Sequence, residues 1–156
     1  MSRPPSLGSV APYVLVLVVG SILLVRSVEW TPSWSEVTSV PPGEGWTSSY
    51  LEAESTARAA KRVLMVYFGA DWCAPCKDLE DKTFVNGEVL QAMESVVAVK
   101  VDGSEMTGPV RGLFEKYRIY SLPTIVFVGS EGRVLESSRI HGYIDAKDFV
   151  EVLRGF

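Results

Sequence analysis

The chain has 156 residues, 47% of them apolar and 22% charged, and a formal net charge of −4. That length accommodates one domain of ordinary size with an appendage, and the acidic balance leaves no basic patch to suggest nucleic acid as a partner. Two cysteines are too few for the many-bridged framework of a small secreted scaffold.

Taken from the start, the chain carries no charged residue between Pro4 and Val25, and the centre of that run reads VAPYVLVLVVGSILLV. As a helix rising about 1.5 Å per residue, the run reaches about 33 Å, enough for a hydrocarbon core of about 30 Å. A cleaved signal peptide is the rival reading. Its apolar region is normally about 7–15 residues and ends at a small-residue site, whereas this run is longer and leads into Val25-Arg26-Ser27-Val28-Glu29. A buried core helix is the third reading, though so uniform a segment is unusual there. Residues 1–28 are therefore read as a single N-terminal membrane anchor, with the signal peptide as alternative. A short anchor followed by a whole domain usually exports the domain. Trp30 and Trp34 then fall near the outer interface, unless they are incidental to a linker.

Residues 29–47, EWTPSWSEVTSVPPGEGWT, are rich in Pro, Gly, Ser and Thr and read as a partly stiff linker. SSYLEAESTARAAKR, from Ser48, offers serine caps followed by helix formers, which predicts a helix. VLMVYFGA is a short apolar run with β-branched and aromatic residues, closed by a glycine, and predicts a buried strand. A helix is then expected through KDLEDKTF and another turn or two in NGEVLQAM. VVAVKVD predicts the second strand. VRGLFEKYRI places Val110, Leu113, Phe114 and Tyr117 at helical spacing. TIVFVG predicts a third strand and RVLESSRI a fourth, paired as a hairpin. DAKDFVEVLRGF predicts a closing amphipathic helix with Phe149, Val152 and Leu153 inward. This order implies an α/β domain over residues 48–156, with a central mixed sheet flanked by helices.

The chemistry concentrates in GADWCAPCKDLE, residues 69–80, which holds both cysteines. Cys73 and Cys76 stand three apart at the start of a predicted helix, so their side chains face the same way, at a Cα separation of roughly 5–6 Å that a disulfide accepts. Free N–H groups and the positive end of the helix dipole would stabilise a thiolate at Cys73. Pro75 suits a first helical turn. A structural zinc site needs four ligands, and the two cysteines with His141 supply three, which leaves only an open three-ligand site. A c-type haem attachment needs His after the second cysteine, where Lys77 stands. Two inert core cysteines also stay open at this point.

Residues 48–156 resemble the thioredoxin superfamily, through AxWCxPCK at Ala70–Lys77 and through Leu122-Pro123-Thr124 ahead of a strand. Within it they look most like the C-terminal, extracytoplasmic domain of the transmembrane thiol:disulfide interchange proteins. The similar features are ADWC, Lys77 with Glu80, Lys82-Thr83-Phe84, SLPT and Gly142-Tyr143-Ile144-Asp145-Ala146. The resemblance implies a thioredoxin-like fold in which Cys73 is the attacking thiol and Cys76 the resolving thiol. Pro123 matches the cis-proline facing the pair, an infrequent backbone state; an ordinary trans proline at a strand edge is the alternative. Trp72 would cover the motif or simply pack beside it. Gly142 would sit in the substrate groove, where a missing side chain lets another backbone approach.

One position departs from the pattern. Thioredoxins carry a buried aspartate six residues before the first cysteine, and here that position is Tyr67. Glu80 is the candidate substitute, because positions 73, 76 and 80 share one helical stripe and a partly buried glutamate there could exchange protons with Cys76. A solvated helix residue is the competing reading of Glu80. Lys100 is a weaker candidate, and His141 reads as a surface or groove-edge residue rather than a base.

The resulting expectation is a monomeric, membrane-tethered thiol:disulfide oxidoreductase on the extracytoplasmic side of a prokaryotic membrane. It would need no cofactor beyond the Cys73–Cys76 couple. Its partners would be protein disulfides and an upstream thiol electron donor. The alternatives are an oxidase or isomerase running the couple the other way, and a non-catalytic binding or assembly factor.

Overall fold

Val63–Gly69 is apolar or aromatic up to its closing glycine, as suits a strand covered on both faces. In the computed structural model, which describes residues 45–156, this strand is the middle of a five-stranded sheet. The expected anchor, residues 1–28, and the linker as far as residue 44 lie outside the described residues. Among the described residues, no helix is long and apolar enough to cross a membrane.

The elements run β1 (Trp46–Thr47), α1 (Tyr50–Ala60), β2 (Val63–Gly69), α2 (Ala74–Asp78), a π-helical turn (Leu79–Thr83), α3 (Gly87–Met93), β3 (Val96–Asp102), α4 (Gly108–Lys116), β4 (Thr124–Val128), β5 (Ile140–His141) and α5 (Ala146–Leu153). The strand order is β1-β3-β2-β4-β5. β1 and β2 are parallel to β3, while β4 runs antiparallel to both β2 and β5. The sheet is mixed, as expected.

Because side chains alternate across a strand, the sheet divides two cores. Leu64, Val66 and Phe68 of β2 meet Val97, Val99 and Val101 of β3 beneath α1 and α4. On the other face, Met65 and Tyr67 meet Ala98, Ile125 and Phe127 beneath the cysteine helix, α3 and α5. α5 seals this second core with Phe149, Val150 and Leu153, and full burial of Phe149 or Leu153 contributes about 1.5–3 kcal/mol each. Val152, expected inward, is only half-buried against the same cluster. Side-chain oxygens cap three helices: Asn86 accepts from the Glu88 and Val89 N–H groups, Thr107 from Val110, and Asp145 from Asp148.

Four expectations are corrected. Trp46 and Thr47, assigned by composition to the linker, pair with Ala98 and Val99 as an edge strand. Trp46 is drawn in because its ring packs on Tyr67 and Phe84, at centroid distances of 6.0 and 4.9 Å. Ser49 precedes α1 in extended geometry, yet its side chain makes no capping bond. The segment RVLESSRI is not a continuous strand. It touches β4 through a bridge between Val128 and Val134, leaves in a 3-10 turn at Glu136–Ser138, and returns as β5. Serines favour such local turns, and Arg139 closes this one with a 2.8 Å ion pair to Glu136 and a hydrogen bond to the Tyr117 carbonyl. Finally, the helix after the cysteines widens into a π turn, where the Phe84 N–H donates to Leu79 O at 3.0 Å. Phe84 then points into the core, and the Thr83 hydroxyl donates to Ile144 O at 2.7 Å.

Candidate active site

The strand register gathers the sequence-identified residues at one end of the sheet. β2 ends at Gly69 and feeds Ala70–Trp72 into the cysteine loop. Phe68 pairs with Thr124, so Pro123 falls beside Gly69. Thr124 pairs with His141, and the Gly142 N–H donates to Pro123 O at 2.8 Å. On the other flank, the Gly103 N–H donates to Gly69 O at 2.7 Å. The loop itself is tied down, since the Asp71 N–H donates to Ser104 Oγ, whose hydroxyl and N–H both donate to Asp102 Oδ1.

Cys73 is the N-cap of α2, and its carbonyl accepts from the Cys76 and Lys77 N–H groups at 3.0 and 3.2 Å. The cysteines are joined by a 2.04 Å S–S bond, with Cα atoms 5.2 Å apart. Both are largely covered. Cys73 keeps 5% of its surface exposed and Cys76 none. Trp72 remains 69% exposed. Tyr120, three residues before Pro123, projects further still at 89% exposed. The Leu122–Pro123 peptide is cis. Gly142 has φ +80, a backbone that side chains rarely adopt, and open space where a Cβ would stand. His141, the exposed residue of β5, has its Nδ1 3.2 Å from Thr124 Oγ1.

Glu80 is not a freely solvated helix residue. Its Oε1 accepts the Tyr67 hydroxyl at 2.9 Å and pairs with Lys100 Nζ at 2.9 Å. Its side chain is 24% exposed against 8% for Lys100. Tyr67 and Lys100 are register partners on neighbouring strands, and both project to the cysteine face. Burial, followed by the negative charges of Glu80 and Asp102, pushes the Tyr67 phenol far above its usual range, so it stays protonated and acts as a donor. Sequence reasoning treated Tyr67 only as a missing carboxylate. The signal it passed over was Gly69, two residues on and on the same strand face.

Residues 50–156 match the thioredoxin-like domain family. The thiol:disulfide interchange protein DsbD of Pasteurella multocida is 31% identical over 119 residues, covering 76% of this chain and 21% of that protein. DsbD of Klebsiella pneumoniae is 33% identical over 101 residues, covering 65% and 17% respectively. The chain thus spans about a fifth of the length of these curated relatives. Among solved structures, a thioredoxin from Thermus thermophilus superposes with a TM-score of 0.59 at 30% identity, covering 68% of this chain and 82% of that one. The oxidised DsbD C-terminal domain of Neisseria meningitidis superposes at 0.60 with 25% identity, covering 67% and 90%. Cysteine motif, fold and family match agree, and the chain belongs to the thioredoxin-like family.

Proposed function

We propose that the protein is a thiol:disulfide oxidoreductase that reduces disulfides of partner proteins through the Cys73–Cys76 couple. The observation that carries this reading is the pair itself, closed as a disulfide at the head of a helical run, with Cys76 sealed and Cys73 at the surface edge. Starting from the dithiol, the Cys73 thiolate attacks one sulfur of a partner disulfide and expels the other as a thiolate. The Cys76 thiolate then attacks Cys73 Sγ, closes the Cys73–Cys76 bond and releases the second partner thiolate. Two electrons pass to the partner, and an upstream dithiol donor restores the pair. Glu80 serves as the proton acceptor for Cys76, while Trp72, Pro123 and Gly142 frame the groove in which the partner's chain lies.

The uncharged run from Pro4 to Val25 supports a membrane tether. The likeness to DsbD supports work on the extracytoplasmic side. Turnover of insulin disulfides with dithiothreitol as donor tests the reading. The protein should precipitate insulin chains catalytically, and Cys73→Ser should abolish that turnover. Binding without turnover would favour an assembly factor instead.

A further inference from the structure

The reaction needs Cys76, fully buried, to lose its proton at the moment it resolves the mixed disulfide. Glu80 stands four residues after Cys76 on the same helical run, and it is held from two sides. From β2 comes the Tyr67 hydroxyl and from β3 the Lys100 ammonium, both 2.9 Å from the same oxygen, Oε1. Hydrogen bonds of this charge-assisted kind are strong and directional. The arrangement also depends on a notch. A Cβ at Gly69 would stand 2.6 Å from Tyr67 Cζ, so only glycine there lets the phenol reach Glu80. The ring is steadied by edge contacts with Trp46 and Phe84, at 6.0 and 5.1 Å.

We propose that Tyr67 is a positioning residue for the resolving step, pinning Oε1 of Glu80 together with Lys100 so that the carboxylate receives the Cys76 proton. The proposal rests on the exchange reading above. In the step, the Cys76 S–H proton passes to Glu80, the freed thiolate attacks Cys73 Sγ, the Cys73–partner S–S bond breaks, and the partner leaves as a thiolate. Glu80 afterwards returns its proton to solvent or to the departing sulfur. Lys100 offsets the carboxylate's charge next to the developing thiolate. Tyr67 adds direction without adding charge.

The test uses the reduced full-length protein and 5,5′-dithiobis(2-nitrobenzoate) in a stopped-flow instrument. The first thionitrobenzoate released reports attack by Cys73, and the second reports resolution by Cys76. Tyr67→Phe, which keeps the ring contacts, should leave the first phase within about twofold and slow the second about tenfold, as expected for a misplaced catalytic group. Glu80→Gln should slow the second phase about a hundredfold, and adding Tyr67→Phe to it should slow resolution no further. An unchanged second phase in Tyr67→Phe would overturn the proposal. So would an undiminished Tyr67→Phe penalty in the Glu80→Gln background, or equal slowing of both phases with a lowered unfolding midpoint. A parent protein that releases only one thionitrobenzoate would sink the exchange reading itself, and the proposal with it.

Discussion

The Tyr67 ring occupies the space that a side chain on Gly69 would need, with Cζ only 2.6 Å from the position of a Cβ there. Both residues lie on one face of β2, two apart, where side chains stand side by side. Gly69→Ala should therefore force the phenol off Glu80 and destabilise the fold by about 1–3 kcal/mol, the usual scale for overpacking a tight core. Urea unfolding midpoints read this directly. In a Tyr67→Leu background the same alanine should be nearly neutral. An equal penalty in both backgrounds would place the strain somewhere other than this contact.

Covalent trapping tests the order of the thiols. Cys73 retains a little exposure and Cys76 has none, so only Cys73 can meet a partner's disulfide first. Cys76→Ser should accumulate mixed disulfides with protein partners on non-reducing gels, at least tenfold above Cys73→Ser, because the resolving attack is missing. Partners trapped by Cys73→Ser instead would reverse the assignment.

What the sequence made legible follows from how local each signal is. β2, β3 and β4 announce themselves as apolar runs because they are buried on both faces. The Cys73–Cys76 spacing alone implied a bridge-compatible geometry. The features that escaped depend on distant partners. Nothing within EGWT says that Trp46 will find Tyr67 and Phe84 and pull a strand against β3. The π turn at Leu79–Thr83 adds one residue to a helix whose periodicity looks ordinary. Glu80 was legible as one stripe with the cysteines, but its anchors, Tyr67 and Lys100, meet it only across the sheet register.

Alkaline pH should expose the buried phenols. Burial first, and then the neighbouring Glu80, raises Tyr67 far above its ordinary value; burial first, and then Tyr117, does the same for Tyr50, whose hydroxyl lies 2.6 Å from that of Tyr117. A raised folded-state value means that the unfolded chain releases these protons first. Their contribution is thus complete below about pH 10 and declines as pH rises beyond it. Each such phenol should add up to about 1.4 kcal/mol per pH unit to the fall in stability. Urea titrations between pH 9 and 12 should show a shallower fall for Tyr67→Phe and for Tyr50→Phe than for the parent. Parallel curves for all three proteins would show that neither phenol carries the linkage.

The reduction potential decides the direction of electron flow. A couple becomes oxidising when the protein stabilises its thiolate, because that favours the reduced form. Here the two residues between the cysteines are Ala74 and Pro75, and neither side chain can donate a hydrogen bond to sulfur. Asp71, exposed just upstream, contributes a negative charge that opposes a thiolate. Glu80 would oppose it too, but its charge is offset by Lys100 at 2.9 Å, so it weighs little either way. In favour of the thiolate stand the exposed Lys77 ammonium, screened by solvent, and the helix dipole, about 0.3–1 kcal/mol. For a two-electron couple, about 1.4 kcal/mol corresponds to about 30 mV, so the dipole moves the potential by no more than about 20 mV. That is far short of the roughly 150 mV separating a thioredoxin, at about −270 mV, from a strong oxidase, at about −120 mV. Equilibration of the full-length protein with glutathione buffers should therefore place the couple near the thioredoxin value, and Ala74→His, which introduces a cation beside Cys73, should raise it by tens of millivolts. A parent potential near the oxidase value would reverse the direction proposed here, making the protein a disulfide donor to its partners.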